Sequence, residues 1–315
     1  MKKNTLARKT FLIMIPLAVV LLLNANPVQQ KQPEVPYVPT PEKVVSRMLE
    51  MAEVGKDDVL YDLGCGDGRI VITAAKELGC RGVGIDIDPQ RIEESRQNAA
   101  KAGVEERVEF LLMDLFEADI SRATVVTLYL LSDVNLRLRP KLLRELKPGT
   151  RIVSHDFDMD AWMPDERAVI EIDESAEKVP YQFDEFFLDN YWNKHNVFFW
   201  LIPANVTGTW KWVMPSVSGN ETYTLKLEQT FQEVQGTAFL GSTSVPLAIE
   251  GEIIRGNELR FILETKRRGR KERLSFKGLA AGHSMEGQVT FEGKAESRVN
   301  WQAERVPSTQ MSIEK

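Results

Sequence analysis

Three aspartates and a glycine turn are the residues of this chain whose types and spacing could do chemistry. YDLGCGDGRI supplies Asp62 and the turn Gly64-Cys65-Gly66-Asp67-Gly68; Asp86 follows in GIDIDP, 22 residues after Gly64, and Asp114 in FLLMDLF. Each acid stands near the end of a short apolar run, where an open α/β sheet meets its ligand. The turn reads GxGxG. A dinucleotide fingerprint wants GxGxxG, whose third glycine lets helix and strand pack closely, and Arg69 holds that position. Asp62 and Asp67 would repel a pyrophosphate at short range but suit an ammonium. Asp86 can accept hydrogen bonds from a ribose diol, and Asp114 from an adenine amino group.

The elements that must position these residues alternate. VLYDLG (59–64), GVGIDI (82–87), VEFLLMDL (108–115), VVTLYLL (125–131) and RIVSHDF (151–157) read as buried strands. Between them GRIVITAAKELG, PQRIEESRQNAAKAG and PKLLRELKPG read as helices, the last two ending on glycine. AVIEI (168–172) and NVFFWLI (196–202) bring the sheet to seven strands, a Rossmann-like α/β unit over 41–203. Pro41 starts its first helix, with Thr40 as cap and Val44, Val45, Met48, Leu49 and Ala52 as the apolar face.

After Pro203 the period changes to two. TYTLKLEQTF sets Tyr223, Leu225, Leu227 and Phe231 on one face, and QGTAFLG, LAIEGEII, ELRFILET, RLSFKGLA, EGQVTFEG and VNWQAERV repeat the pattern. An antiparallel β meander or small barrel is expected over 204–307, with a tail at 308–315. Gly208-Thr209-Trp210 and Arg305 resemble the GxW start and late arginine of lipocalin-type barrels, in which the arginine covers the tryptophan face.

Residues 1–26 carry Lys2, Lys3, Arg8 and Lys9 ahead of the apolar run Phe11 to Leu23, the pattern of a signal peptide or membrane anchor, so the rest of the chain is expected to be exported or tethered to a membrane. Residues 27–40, rich in proline, read as an extended spacer, with Tyr37 folding back as a lid the lesser alternative. A net charge of -6 over 315 residues argues against a nucleic-acid partner, and KRRGRKER (266–273) reads as a solvated hairpin tip. Cys65 and Cys80 are too far apart to bridge and read as free thiols.

S-adenosylmethionine offers the ammonium, carboxylate, ribose diol and adenine that the turn and the acids suit. The expected donor site is Asp62, Gly64, Cys65, Gly66, Asp67, Gly68, Asp86, Ile87, Asp114, Leu115 and Tyr129. These residues resemble the motif set of class I S-adenosylmethionine-dependent methyltransferases over roughly 41–202. PYVPTP, GDGRI, LRPKLLRELKPGTRIVSH and WMPD further resemble bacterial relatives of the mitochondrial protein-lysine methyltransferases that modify ATP synthase and the adenine nucleotide carrier. That resemblance implies a protein lysine as acceptor. The chain departs from it at Asp86, where Glu is frequent, and in the added β-domain.

An acceptor, a protein side chain or a small envelope molecule, would be met after the fourth and fifth strands by Tyr129, Ser132, Asp133, Asn135, His155 and Asp156, with Tyr129, His155 and Asp156 as catalytic candidates and His155 as a base. LYLLSDVN lacks the NPPY motif of nucleobase-amine and glutamine methylases. HDFDMD fails as a calcium loop, with Ala161 at the glycine position and Arg167 at the bidentate Glu position, and no metal is expected. The alternatives are an exported, non-catalytic binding protein that keeps the fold while its β-domain binds a partner or an apolar ligand, and a nicotinamide-dependent oxidoreductase, which GxGxG and Asp67 disfavour.

Overall fold

A computed structural model describes residues 32–172, 194–216, 219–251, 254–267, 270–291 and 298–314; the expected leader and the tip of KRRGRKER lie outside the described residues. The first unit runs α1 (Glu42–Met51), β1 (Val59–Leu63), α2 (Arg69–Thr73) continued by a π-helical turn (Ala74–Leu78), β2 (Arg81–Asp86), α3 (Pro89–Ala102), β3 (Val108–Leu112), β4 (Val125–Leu128), α4 (Ser132–Glu145), β5 (Arg151–His155), β6 (Glu166–Glu171) and β7 (Lys194–Leu201). Its sheet has the order β3-β2-β1-β4-β5-β7-β6. The first five of these strands are parallel, while β7 is antiparallel to both β5 and β6. The chain therefore reverses direction across the sheet between β1 and β4, where the carboxyl ends of the strands open a crevice.

Two helix boundaries differ from the sequence expectation. Thr40 does not cap α1, because Pro41 takes the N-cap position without a side-chain bond. The helix expected from Pro140 begins at Ser132, carries Pro140 inside and ends at Glu145. Val134, Leu138 and Leu142 recur every fourth residue and are all buried, so one apolar face runs across the proline and packing overrides its cost. Gly149 does not cap this helix; its N–H donates to the Ile202 carbonyl at 2.8 Å, leading into β5.

The second unit is β8 (Gly208–Ser216), β9 (Gly219–Thr230), β10 (Glu233–Leu240), β11 (Ala248–Glu250), β12 (Ile254–Arg255), β13 (Glu258–Arg267), β14 (Arg270–Ala281), β15 (Ser284–Phe291) and β16 (Arg298–Arg305), all paired antiparallel. β16 returns to β8, and the remaining edges meet at a bridge between Ala238 and Leu247, leaving a nearly closed barrel. The alternation seen in the sequence turns Trp210, Trp212, Tyr223, Phe261, Phe276 and Trp301 into a packed core. Phe261 stacks on Phe276 at 4.7 Å, and Trp212 lies 5.2 Å from Tyr223, so side chains fill the interior.

Arg305 covers the face of Trp210 at 4.5 Å and donates to the carbonyls of Asn205 and Gly282. Loss of this cation–π contact and of the charge-assisted bonds should destabilise the barrel, so Arg305→Ala is expected to lower stability by about 2 kcal/mol. Urea unfolding followed by tryptophan fluorescence checks this; a midpoint equal to the wild type would contradict it.

The two units are locked by Phe231, in the turn between β9 and β10. It sits in the first unit's core at 3% exposure, stacked 5.8 Å from Trp162 and under the Arg139 guanidinium. Gln232 Nε2 donates to the Met163 carbonyl at 2.6 Å, and Ala204 N to the Gly256 carbonyl. Among the described residues no helix is long and apolar enough to cross a membrane.

Candidate functional site

Asp62, on β1, is 2% exposed and its Oδ1 accepts from Thr127 Oγ1 of the neighbouring β4 at 2.7 Å. Burial pushes its carboxyl up to about 7; the Thr127 bond opposes this, and the charges of Asp86 and Asp67 add to it. The turn that follows is fastened to β2, because Gly64 N and Cys65 N both donate to the Ile85 carbonyl. Gly66 N donates to Asp86 Oδ2 and Asp88 N to Asp86 Oδ1, each at 2.9 Å. Burial nevertheless raises the Asp86 carboxyl, against these backbone bonds. Cys65 is buried, which pushes its thiol well above its usual value and removes it as a nucleophile.

Asp67 is engaged differently from the expectation. Arg69 grips it with Nε at 3.0 Å and Nη2 at 2.7 Å, so despite burial its carboxyl stays below the usual range and its charge is compensated. Asp114 lies two residues beyond β3 and accepts from Phe116 N at 3.0 Å. Tyr129 follows β4; burial, and then the Asp156 charge, hold its phenol well above the normal value.

These groups surround one cavity of about 560 Å³, lined by Asp62, Gly64 to Asp67, Asp86 to Asp88, Met113 to Phe116 and Tyr129 to Leu130. Residues 32–40, expected as a plain spacer, also line it. Gly66 takes φ +52°, and a Cβ there would stand 2.5 Å from the Tyr37 ring, so only glycine admits the strap at this point. Arg91 covers the same ring at 4.4 Å, Arg69 Nη1 donates to the Thr40 carbonyl at 2.9 Å, and Arg137 pairs with Glu34. Arg91 was not singled out by type or spacing, and Arg69 only as the residue in place of a third glycine; the folded strap shows their use.

The other acceptor-side candidates spread out. Asn135 is fully buried and donates to the Phe157 carbonyl at 3.1 Å, away from the cavity. Ser132 and Asp133 lie on the first turn of α4, and neither lines the cavity. His155 and Asp156 do not line it either; the His155 ring lies behind Tyr129, 3.8 Å between centroids, and is 0% exposed. Its Nε2 meets His195 Nδ1 at 2.9 Å, and its Nδ1 meets Thr40 Oγ1 at 3.3 Å. Burial lowers the His155 pKa, whereas both rings hold the Asp156 carboxyl well below the usual range in spite of its burial. His195 was missed because only the antiparallel register, which sets His155 opposite Val197, brings it here.

The cavity accommodates S-adenosylmethionine in size and in charge. A volume of about 560 Å³ suits a nucleoside-sized ligand. Asp62, its carboxyl raised by burial and further by the neighbouring acids, would be relieved by a cation; Asp86 and Asp114 line the same cavity beside the apolar Ile87, Met113 and Phe116.

Comparison with known proteins agrees. The family described as the ANTKMT methyltransferase domain matches residues 62–166. A protein-lysine N-methyltransferase of Saccharolobus islandicus is 56% identical over 140 residues, which span 44% of this chain and 87% of that protein. The adenine nucleotide translocase lysine N-methyltransferase of Mus musculus is 33% identical over 132 residues, 42% of this chain and 57% of that protein. The chain thus spans little more than half of this mammalian relative. A Salinibacter ruber RNA methyltransferase solved with S-adenosylhomocysteine is 52% identical, covering 54% of this chain and 96% of that one, at a TM-score of 0.45; so partial a superposition does not bear on the acceptor.

Proposed function

The chain belongs to the class I S-adenosylmethionine-dependent methyltransferases, and we propose that within them it methylates lysine side chains of proteins. The observation that carries this reading is the 56% identity to the Saccharolobus islandicus protein-lysine N-methyltransferase across 87% of that protein's length.

S-adenosylmethionine, when bound, supplies a methyl group on a cationic sulfur. Asp62 would hold its ammonium, Asp86 its ribose diol and Asp114 its adenine amino group. Tyr37, seated on Gly66, and the strap of residues 32–40 line the cavity and would shield a bound donor from water. Tyr129 stands at the strand end where an acceptor amine would enter, with a phenol that stays neutral and can fix the amine by a hydrogen bond. Once the lysine ammonium has given its proton to solvent on entry, alignment of the neutral amine with the methyl is the protein's main contribution. The leader keeps its reading as an export or anchoring segment in this proposal, which places the acceptor among envelope proteins.

The test uses the full chain with methyl-labelled S-adenosylmethionine and protein extracts that include envelope fractions. Methyl-lysine identified by peptide mass spectrometry is the expected product. Label appearing only in RNA or small molecules would overturn the lysine reading while leaving the methyltransferase intact.

A further inference from the structure

Behind Tyr129, three polar atoms from the end of β5, the residue after it and β7 converge on one point. His155 Nε2 lies 2.9 Å from His195 Nδ1 and 3.1 Å from Asp156 Oδ2, and His195 Nδ1 lies 3.2 Å from the same oxygen. Hydrogen bonding cannot satisfy this triangle. The ionised carboxylate offers only lone pairs, and each ring nitrogen offers either an N–H or a lone pair. If both rings turn N–H groups to Oδ2, the two hydrogens face each other across the 2.9 Å edge. If one ring does so, the lone pair of the other faces the carboxylate oxygen. Every tautomer leaves one repulsive edge, and the two rings are 0% and 4% exposed, so water can reach the triangle only from the side of the Asp156 carboxylate, which is 25% exposed.

A cation that takes a lone pair from each of the three atoms removes the conflict. We propose that His155, Asp156 and His195 bind one divalent first-row transition-metal ion. An ion about 2.1 Å from each atom, the ordinary distance for imidazole and carboxylate ligands, would sit roughly 1 Å off the plane of this triangle. Two imidazoles and a carboxylate suit such an ion, whereas the nitrogen ligands exclude calcium and magnesium.

The surroundings support the same assignment. Thr40 Oγ1, 3.3 Å from His155 Nδ1, can accept an N–H from it, the tautomer that leaves the Nε2 lone pair for the ion. Asp156 Oδ1 accepts from Asn196 N at 2.7 Å, which leaves Oδ2 for the ion. Asp156 holds this pose at φ +57°, an uncommon conformation for a residue other than glycine. The site differs from a calcium loop through Asp156, Asp158 and Asp160, since one of its nitrogens comes from β7. It is independent of the acceptor's identity.

The test takes the full chain without a histidine tag, stripped with chelator and dialysed, and titrates it with Co²⁺ followed by visible absorption and with Zn²⁺ followed by calorimetry. One ion per chain is expected. His195→Ala and the near-isosteric Asp156→Asn should each weaken Zn²⁺ binding by at least about 100-fold, with circular dichroism confirming the fold. If His195→Ala does not fold, Asp156→Asn carries the comparison. Absence of a stoichiometric site in the wild type overturns the proposal by itself, as does undiminished binding in either folded variant.

Discussion

Asp86→Ala should bind S-adenosylhomocysteine at least about 100-fold more weakly than the wild type, because it loses two sets of charge-assisted hydrogen bonds at once. One set would go to the ribose diol. The other exists without ligand: Asp86 Oδ2 takes Gly66 N and Oδ1 takes Asp88 N, so the carboxylate also shapes the glycine turn and the start of α3. Asp86→Glu keeps the charge and should recover most of the affinity. Calorimetric titration of the three proteins decides the matter; Asp86→Ala within threefold of the wild type would remove Asp86 from the donor site.

Much of this site was legible because parallel strands, buried on both faces, appear as apolar runs whose ends mark the crevice. Asp62, Asp86 and Asp114 each close such a run, and all three line the one cavity. The barrel was legible for a related reason, since period two carries Trp210, Trp212, Tyr223 and Leu225 to one side. What escaped depends on tertiary pairing. His195 reaches His155 only through the register of β5 with β7. Tyr37 was readable as a lid only as the lesser alternative to a proline spacer, because nothing in the sequence shows that the turn sets a residue without a side chain, Gly66, beneath its ring. Phe231 occupies a tight turn at φ +52°, where side chains are disfavoured, and is held there by Trp162 and Arg139 of the other unit. The start of α4 hid among the polar residues of SDVNLRLR, whose apolar face shows only every fourth position.

S-adenosylmethionine binding should weaken as pH falls below about 7 and Asp62 takes up its proton, because the raised pKa belongs to the free protein. A bound ammonium favours the ionised carboxyl, so below that pH the ligand must displace a proton, and affinity falls toward tenfold per pH unit. Above about 8 the ligand's own α-ammonium deprotonates and affinity declines again, which confines the optimum to the interval between. Asp62→Asn should lower affinity at pH 7.5 by about tenfold or more and abolish the acid limb while keeping the alkaline one. Its effect on stability has the opposite sign. A carboxyl raised by folding binds its proton more tightly in the native state, so the free wild type loses stability as pH rises from about 4 to 7. The ligand-free Asp62→Asn chain should therefore gain in melting temperature over the wild type at pH 8 and lose that advantage near pH 4. A wild-type affinity that stays flat between pH 5.5 and 7.5 by calorimetry would show that Asp62 does not meet the donor's cation.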